Sequence, residues 1–243
     1  MIVLSAGMQK SGTGWYFNLT NDLLVVAGYQ DVRAIRQKFR LHSILRHYNC
    51  NIGKPTPFEL ALVAIPHFLG NTFVVKMHGA PSTWIRFLMS TNIMKATYIY
   101  RDPRDVVISA FEHGQIIRSR GETHTFGKLD SIEASILYVK GLLTNWDKWT
   151  QCTQALIVRY EDLVADPIGE LKRLAGFLSL SVSSEGLHRI VATYKIDQSN
   201  EVKGLHFNKV AAGSFRYVMN QKEQDLCKKY FRDYLQRMGY PDE

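Results

Sequence analysis

The chain has 243 residues, of which 46% are hydrophobic and 21% charged, an ordinary globular composition that excludes disordered and fibrous proteins. This length suits one large domain or two small ones, with a core that needs no metal or disulfide staples. Thirty Lys and Arg against 22 Asp and Glu give a net charge of +8, which favours an anionic ligand.

Short apolar runs alternate with longer helix-like stretches, which is the pattern of βαβ units around a mainly parallel sheet. The predicted strands are Ile2–Ala6, Thr72–Lys76, Ala96–Tyr100 and Ala155–Arg159. The predicted helices are Trp15–Ala27, Pro57–Leu69, Arg104–Glu112, Ile168–Leu178 and Gln221–Met238. We expect Pro66 to end or kink its helix, because an interior proline removes a backbone hydrogen bond.

Two helices carry clear start signals, since Asp102 is a suitable N-cap before Pro103 and Asp166–Pro167 opens the helix that follows the fourth strand.

Loops of more than about 12 residues in a compact domain are usually functional lids or disordered. Two such irregular stretches are predicted, His113–Asp130 and Tyr194–Val218. No internal repeat is visible, and we predict one α/β domain over residues 1–243 with helices flanking the sheet.

The cellular compartment can be predicted from cysteine usage and from the absence of targeting signals. Three widely spaced cysteines indicate no disulfide framework and favour a reducing compartment. The start MIVLSAG does not read as a secretory signal, and no stretch reaches about 18 uninterrupted apolar residues. We therefore expect a soluble cytoplasmic protein without a membrane span.

The first motif with chemical meaning is GMQKSGTGW, residues Gly7–Trp15, between the first strand and the first helix. A glycine-rich turn there lets backbone N–H groups converge on an anion, and Lys10 adds a point charge. The loop predicts a phosphate cradle, with a simple βα turn as the alternative. It is not a Walker A loop, because Lys10 precedes Gly12 instead of following the last glycine.

The second motif is YIYRDPRDVVISAFEH, a strand that continues into a helix. Arg101 follows the strand and Ser109 lies about two helical turns into the helix. A guanidinium and a hydroxyl that converge can hold a second phosphate. The alternative is a capped surface helix with an ordinary Arg101–Asp105 ion pair, and the first loop favours the phosphate site.

These residues resemble the sulfotransferases that use 3′-phosphoadenosine 5′-phosphosulfate (PAPS). KSGTGW is similar to the family's KSGTTW loop, which binds the 5′-phosphosulfate, and RDPRDVVIS to its R-x-P-x-D-x-x-x-S element, which binds the 3′-phosphate. Three further elements match in order, over nearly the whole chain. They are VVKMHG for the K-T-H element with the catalytic histidine, VRYEDL for the Y-E-D strand end near the adenine, and NKVAAGSF for R-K-G-x-x-G-D-W.

The resemblance implies a P-loop NTPase-like fold and a sulfotransferase that moves a sulfuryl group from PAPS to a hydroxyl or amine acceptor and releases 3′-phosphoadenosine 5′-phosphate (PAP). The implied catalytic residues are His78 as base, Lys10, Lys76 and Ser109. The implied cofactor-binding residues are Lys10, Ser11, Gly12, Thr13, Gly14, Trp15, Arg101, Ser109, Tyr160, Lys209 and Gly213. We expect no metal, because His42, His47 and Cys50 match no usual zinc spacing, and no nucleic acid, because basic and aromatic residues do not interleave.

The chain departs from the family pattern in both nucleotide loops. Gln9 replaces the usual proline and Gly14 a threonine, so that one hydroxyl contact is missing. In the late loop Asn208 replaces arginine, and only Lys209 and Gly213 carry over.

Moving a sulfuryl group places negative charge on the bridging oxygen of the departing nucleotide, which a fixed ammonium stabilises. Lys10 is the candidate for this charge and His78 the candidate base, because its ordinary pKa suits proton uptake. Trp15 and Tyr160 either stack on the adenine or fill the core.

Two other functions stay open at this point. One is a nucleotide kinase of related fold, which needs a Walker A lysine and Mg²⁺. The other is a non-catalytic module that binds an adenine nucleotide. The acceptor is a small molecule, carbohydrate or lipid that the sequence does not name, and the oligomeric state is not specified by the motifs.

Overall fold

Four parallel strands form a sheet in the order β2-β1-β3-β4. The strands are β1 (Ile2–Gly7), β2 (Phe73–Met77), β3 (Met94–Tyr100) and β4 (Ala155–Arg159). Every residue of β1 and β2 is buried, as expected for parallel strands that are covered on both faces. All four predicted strands are confirmed, with ends shifted by at most two residues.

The computed structural model describes residues 1–194 and 212–241. The chain forms two compact units, one of residues 1–7, 12–100 and 148–194 and one of residues 8–11, 101–147 and 212–241. The sheet belongs to the first unit. The expectation of a single domain over residues 1–243 stays a prediction.

Seven helices of the described chain belong to the first unit. They are α1 (Thr13–Val26), α2 (Val32–Lys38), α3 (Pro57–Phe68), α4 (Thr83–Ser90), α7 (Tyr160–Ala165), α8 (Pro167–Leu178) and α9 (Ser184–Tyr194). Local signals explain several starts: Thr56 and Glu59 form a capping box at α3, and the Asp166 side chain caps α8 before Pro167.

The second unit contains α5 (Pro103–Ser119), α10 (Phe215–Val218), α11 (Gln221–Met238) and most of α6 (Ile132–Thr150). Asp102 caps α5 by accepting a hydrogen bond from the Arg104 backbone, as predicted. Asn220 and Glu223 form a capping box at α11. Five helices of the described chain were not predicted: α4, α6, α7, α9 and α10.

Three sequence predictions are wrong in part. In the stretch Tyr194–Val218, predicted as irregular, Tyr194 ends α9 and Phe215–Val218 form α10, while residues 195–211 lie outside the described part of the chain. Pro66 does not end α3, which continues to Phe68. The stretch predicted as irregular from His113 is helical as far as Ser119 and contains a 3₁₀ turn at Thr125–Lys128. Gly114, read as a loop residue, is buried within α5, and a Cβ there would lie 2.5 Å from the Phe126 carbonyl oxygen. This glycine therefore permits close packing of the 3₁₀ turn on the helix.

Candidate functional site

Four candidate positions lie at one edge of the sheet in the first unit. Gly7 ends β1, His78 follows β2, Tyr100 ends β3 and Tyr160 follows β4. Because the four strands are parallel, their carboxyl ends meet at the same edge. In open parallel sheets this edge is where ligands bind.

The N-terminus of α1 has the backbone of an anion site. Gly12 is its N-cap, with a left-handed φ of 73° and no side-chain cap hydrogen bond. A Cβ at Gly12 would lie 2.5 Å from the Tyr160 ring, so that only glycine fits this position without movement of the ring. The backbone N–H groups of a helix's first turn point out of its N-terminus, and the helix dipole favours an anion there.

Trp15 and Tyr160 lie together in the first unit. Their ring centroids are 6.4 Å apart with the planes at 77°, an edge-to-face contact, and both side chains are half-buried. Neither residue is fully buried in the core. The stacking interpretation of these two residues stays a prediction.

His78 is half-buried and its Nδ1 lies 3.1 Å from the Gly7 carbonyl oxygen. A carbonyl can only accept, so that Nδ1 carries the proton and Nε2 presents its lone pair. Burial, together with the charge of Lys76, lowers the pKa of His78 to about 3, and the Gly7 contact only partly opposes this. The sequence-based expectation of an ordinary histidine pKa is therefore wrong for the free protein.

Lys76 is buried in β2, two residues before His78, which follows the strand. In the parallel pairing of β1 and β2, Lys76 lies beside Ser5. Because its ammonium lowers the pKa of His78, the structure links Lys76 to the protonation state of the candidate base.

In the second unit, Lys10 is a half-buried lysine with a left-handed φ of 68°. Burial lowers its pKa to about 8, the Glu112 carboxylate opposes this shift, and the charge of Arg101 adds to it. The two cations are thus close enough to repel each other, which is the arrangement of an anion site before the anion binds. Lys10 Nζ also lies 5.7 Å from the centroid of the Phe126 ring.

Arg101 is buried and lies 3.6 Å from the Asp105 carboxylate. Asp105 has other partners as well, because it accepts hydrogen bonds from the backbone N–H groups of Gly213 at 2.7 Å and Phe215 at 3.2 Å. The ion pair considered as an alternative does exist. Through its other two hydrogen bonds, Asp105 also connects Gly213 and Phe215 to the start of α5. This is the helix for which the second phosphate site was predicted.

Two buried hydroxyls belong to the same unit. Ser109 is the seventh residue of α5 and is 2% exposed. Ser11 is fully buried, and its hydroxyl has no hydrogen-bond partner among the described residues. Since a buried hydroxyl without a partner is costly, Ser11 is suited to an acceptor group that a ligand brings.

The structure brings Lys10 and Arg101 together in the second unit, and Gly12, Trp15 and Tyr160 in the first. Gly213 contacts Asp105, whereas Asn208 and Lys209 lie outside the described residues. In the described chain no group of three or more His, Cys, Asp or Glu is arranged for a metal ion, and no helix is long and apolar enough to cross a membrane.

Sequence reasoning missed Glu112 and Tyr138, and it missed the bonds of Asp105 to Gly213 and Phe215. Glu112 faces Lys10 and Arg101, whose charges oppose the raised pKa that burial gives its carboxyl. The Tyr138 hydroxyl donates to the Gln9 side chain, which stands where the family has proline. Of the two missed residues, only Glu112 had a usable signal, because it lies one helical turn beyond Ser109.

Comparison with known proteins gives the family. The sulfotransferase domain model matches residues 2–239. The chain is 24% identical over 207 residues to luciferin sulfotransferase of Photinus pyralis, covering 78% of this chain and 54% of that protein. It thus spans about half the length of that relative.

Two further matches are a curated sulfotransferase and a solved structure that shares the fold. An amine sulfotransferase of Oryctolagus cuniculus is 22% identical over 253 residues, with 92% of this chain and 77% of that protein covered. The crystal structure of retinol dehydratase with androsterone and inactive cofactor PAP has a TM-score of 0.62 at 19% identity, covering 96% of this chain and 80% of that one. The chain belongs to the sulfotransferase domain family.

Proposed function

We propose that this protein transfers a sulfuryl group from PAPS to the hydroxyl or amine of a small acceptor. The observation that carries the proposal is the proximity of two cations, the half-buried Lys10 and the buried Arg101: burial lowers the pKa of Lys10, and the charge of Arg101 lowers it further. Two such cations on the two loops that resemble the family's phosphate-binding elements are best explained by an anionic ligand.

The residues present fit the nucleotide. Ser11 offers a buried hydroxyl without a partner, and Gly12 gives α1 an N-terminus without a side-chain cap. We assign Lys10, Ser11, Gly12, Thr13, Gly14 and Trp15 to the 5′-phosphosulfate, Arg101, Ser109, Lys209 and Gly213 to the 3′-phosphate, and Tyr160 with Trp15 to the adenine. PAPS, when bound, supplies the sulfuryl group and leaves as PAP.

Lys10 has the role of stabilising the charge that develops on the leaving oxygen. A preorganised donor of this kind typically contributes about 3 kcal/mol to the transition state. Its lowered pKa means that anion binding itself restores the full positive charge. Glu112 supports this role, because its carboxylate raises the pKa of Lys10.

His78 has the role of general base toward the acceptor. The Gly7 carbonyl fixes the Nδ1–H tautomer, which leaves Nε2 free of a proton at neutral pH. A pKa of about 3 makes the free ring a weak base. Nearby negative charge of the bound nucleotide raises that pKa toward the range in which proton transfer is efficient. Lys76, by the same electrostatics, keeps the ring neutral until then.

The acceptor is proposed to be a small, partly apolar alcohol or amine. The names of the relatives support this class, since one is an amine sulfotransferase and retinol dehydratase was solved with androsterone.

A thermal-shift series with PAP and with ATP plus Mg²⁺ tests the proposal against the kinase. At about 100 times its Kd, PAP adds about 2.7 kcal/mol to the free energy of unfolding. ATP has no 3′-phosphate for Arg101, and we expect a much smaller shift. Equal or larger stabilisation by ATP favours the kinase. Binding of PAP without transfer of labelled sulfate to any alcohol or amine favours the non-catalytic module.

A further inference from the structure

Helix α3 presents an uninterrupted apolar face to solvent. Phe58 is 70% exposed, Phe68 68% and Leu69 66%, and Ile65 is 45% exposed. The helical period places them on one side, opposite the buried side of the helix. We call this face the α3 stripe, which consists of Phe58, Ala61, Leu62, Ile65, Phe68 and Leu69.

The α3 stripe is larger than the scattered apolar exposure of an ordinary surface. From Phe58 to Phe68 it is roughly 15 Å long. Its two phenylalanines and two large aliphatic residues together expose roughly 400 Å² of apolar side chain, which is in the range of interaction surfaces. No charged side chain interrupts it, because Glu59 lies on another side of the helix and closes the capping box with Thr56.

The segment that leads into α3 is strongly basic. Residues 32–58 contain six Lys and Arg and no Asp or Glu. Two of the six, Arg33 and Arg36, bind groups within the unit, with Arg33 donating to Asp31 and Arg36 to the Leu45 carbonyl. The other four are exposed, and we call them the basic cluster: Lys38, Arg40, Arg46 and Lys54.

Two observations place cations of the basic cluster at the N-terminal end of the α3 stripe. Lys54 lies three residues before the first residue of α3. The pKa of Glu59 is lowered by hydrogen bonds from Thr56 and also by the charge of Arg46, which puts Arg46 near the first turn of the helix. An exposed apolar face thus adjoins exposed positive charge within one unit.

We propose that the α3 stripe and the basic cluster dock this protein on a membrane surface that contains anionic phospholipid. Phenylalanine, leucine and isoleucine side chains insert at the boundary between headgroups and acyl chains, while lysine and arginine contact the lipid phosphates. The binding is peripheral and salt-sensitive, because part of its strength is electrostatic.

Charge distribution favours a lipid surface over a second copy of the chain. Residues 1–100 contain ten Lys and Arg but only three Asp and Glu, so that they carry most of the excess positive charge. Two copies that met through α3 would bring two strongly positive segments together. An anionic lipid surface is complementary to the same charge.

Cosedimentation of the whole chain with vesicles tests this inference. One set of vesicles is phosphatidylcholine alone and the other contains one-third phosphatidylserine. We expect binding to the anionic vesicles at least tenfold tighter, and weakened severalfold by raised salt. The double variant Phe58→Ser/Phe68→Ser reduces binding at least tenfold, and Arg46→Gln/Lys54→Gln reduces it severalfold, on the anionic vesicles only.

Matched controls come from exposed residues elsewhere. Phe87→Ser removes an exposed aromatic side chain of α4, and Lys172→Gln an exposed charge of α8. Both controls should bind like the parent protein, and circular dichroism verifies that every variant is folded.

Equal binding to the two kinds of vesicle, or parent-like binding by Phe58→Ser/Phe68→Ser, overturns the proposal. Analytical ultracentrifugation tests whether a second copy of the chain, instead of a membrane, occupies the α3 stripe. A parent chain that ignores vesicles but forms a dimer, with the dimer lost in Phe58→Ser/Phe68→Ser, assigns the stripe to a second copy.

Discussion

The Nδ1 atom of His78, which follows β2, lies 3.1 Å from the carbonyl oxygen of Gly7, which ends the neighbouring strand β1. The contact defines which ring nitrogen is protonated. Burial and Lys76 define the charge, because they lower the pKa of the ring to about 3. Together they make His78 a neutral histidine with its free lone pair on Nε2.

The first prediction concerns the pH dependence of stability. The unfolded chain protonates His78 near pH 6.5, and the folded protein only near pH 3. Because the unfolded state binds more protons between these values, the free energy of unfolding decreases as the pH is lowered through this range. The contribution amounts to up to about 2 kcal/mol between pH 7 and pH 5.

Urea unfolding at pH 7 and pH 5 measures this loss in the parent and in His78→Asn, whose amide can still donate to the Gly7 carbonyl. The parent should lose more stability than the variant on acidification. Equal losses would show that the ring is not held neutral.

The second prediction is that His78→Ala lowers kcat by roughly 10²–10⁴ while the affinity for PAP changes little. The base acts on the acceptor proton, and neither phosphate of the nucleotide needs it. Calorimetry with PAP and a turnover assay on one acceptor measure the two effects. Near-normal turnover would mean that the acceptor proton leaves by another route.

The third prediction is that PAP binding takes up a proton at Lys10. With a pKa of about 8, half of the Lys10 side chains are neutral at pH 8 in the free protein. A bound phosphate stabilises the ammonium, and about half a proton enters per PAP at pH 8, with almost none at pH 6. Calorimetry in two buffers of different ionisation enthalpy measures the number of protons taken up per bound PAP.

Lys10→Arg is the matched control, because arginine keeps its charge at every accessible pH. It should bind PAP without proton uptake. If it takes up as many protons as the parent, the titrating group is not Lys10.

The fourth prediction separates the two phosphate contacts. Arg101→Ala should weaken PAP binding by tenfold or more, since hydrogen bonds to charged groups contribute about 1.5–3 kcal/mol. Adenosine 5′-phosphosulfate, which has no 3′-phosphate, should lose much less. The variant should fold, because Asp105 keeps its bonds from Gly213 and Phe215.

Calorimetry with both ligands measures this difference, and Arg120→Ala, an exposed arginine at the end of α5, serves as control. Equal weakening of both ligands by Arg101→Ala would reduce Arg101 to the structural partner of Asp105.

The strands and the phosphate loops could be predicted from the sequence because their signals are local. β1 is a run of apolar residues that ends at a glycine-rich turn, and Asp102 with Pro103 specifies the start of α5 within two positions. The site contacts that were missed depend on residues distant in the chain. The sequence indicates Asp105 only as an ion-pair partner of Arg101, because its bond to Gly213 joins residues 108 positions apart.

The protonation state of His78 could not be predicted from the sequence either. The pKa of His78 departs from its ordinary value because of desolvation, which depends on how the whole unit packs around the ring. The helical extension of α5 through Gly114 depends likewise on the packing of Phe126, which no pattern in residues 113–130 indicates. The identity and spacing of residues can be read from a short segment of sequence, whereas the burial of a side chain depends on how distant segments pack around it.

The last prediction is that Gly12→Ala destabilises the protein more than its backbone strain explains. Gly12 and Gly28 both have left-handed backbones, with φ of 73° and 94°. Alanine costs about 1–2 kcal/mol in such a conformation. At Gly28 nothing lies within 4 Å of the added Cβ, whereas at Gly12 the Tyr160 ring lies 2.5 Å away. Overpacking of this kind adds roughly 1–3 kcal/mol.

A double-mutant cycle of Gly12→Ala with Tyr160→Ala, followed by urea unfolding, isolates that added cost, with Gly28→Ala as the control for strain alone. Removing the ring should relieve the clash and leave the strain, so that Gly12→Ala costs only about as much in the Tyr160→Ala background as Gly28→Ala does in the parent. PAP should stabilise Gly12→Ala less than Gly28→Ala, because the displaced ring and loop belong to the proposed nucleotide site. If Gly12→Ala and Gly28→Ala cost the same in the parent, Tyr160 is not held against the loop, and the assignment of Tyr160 to the adenine loses its structural support.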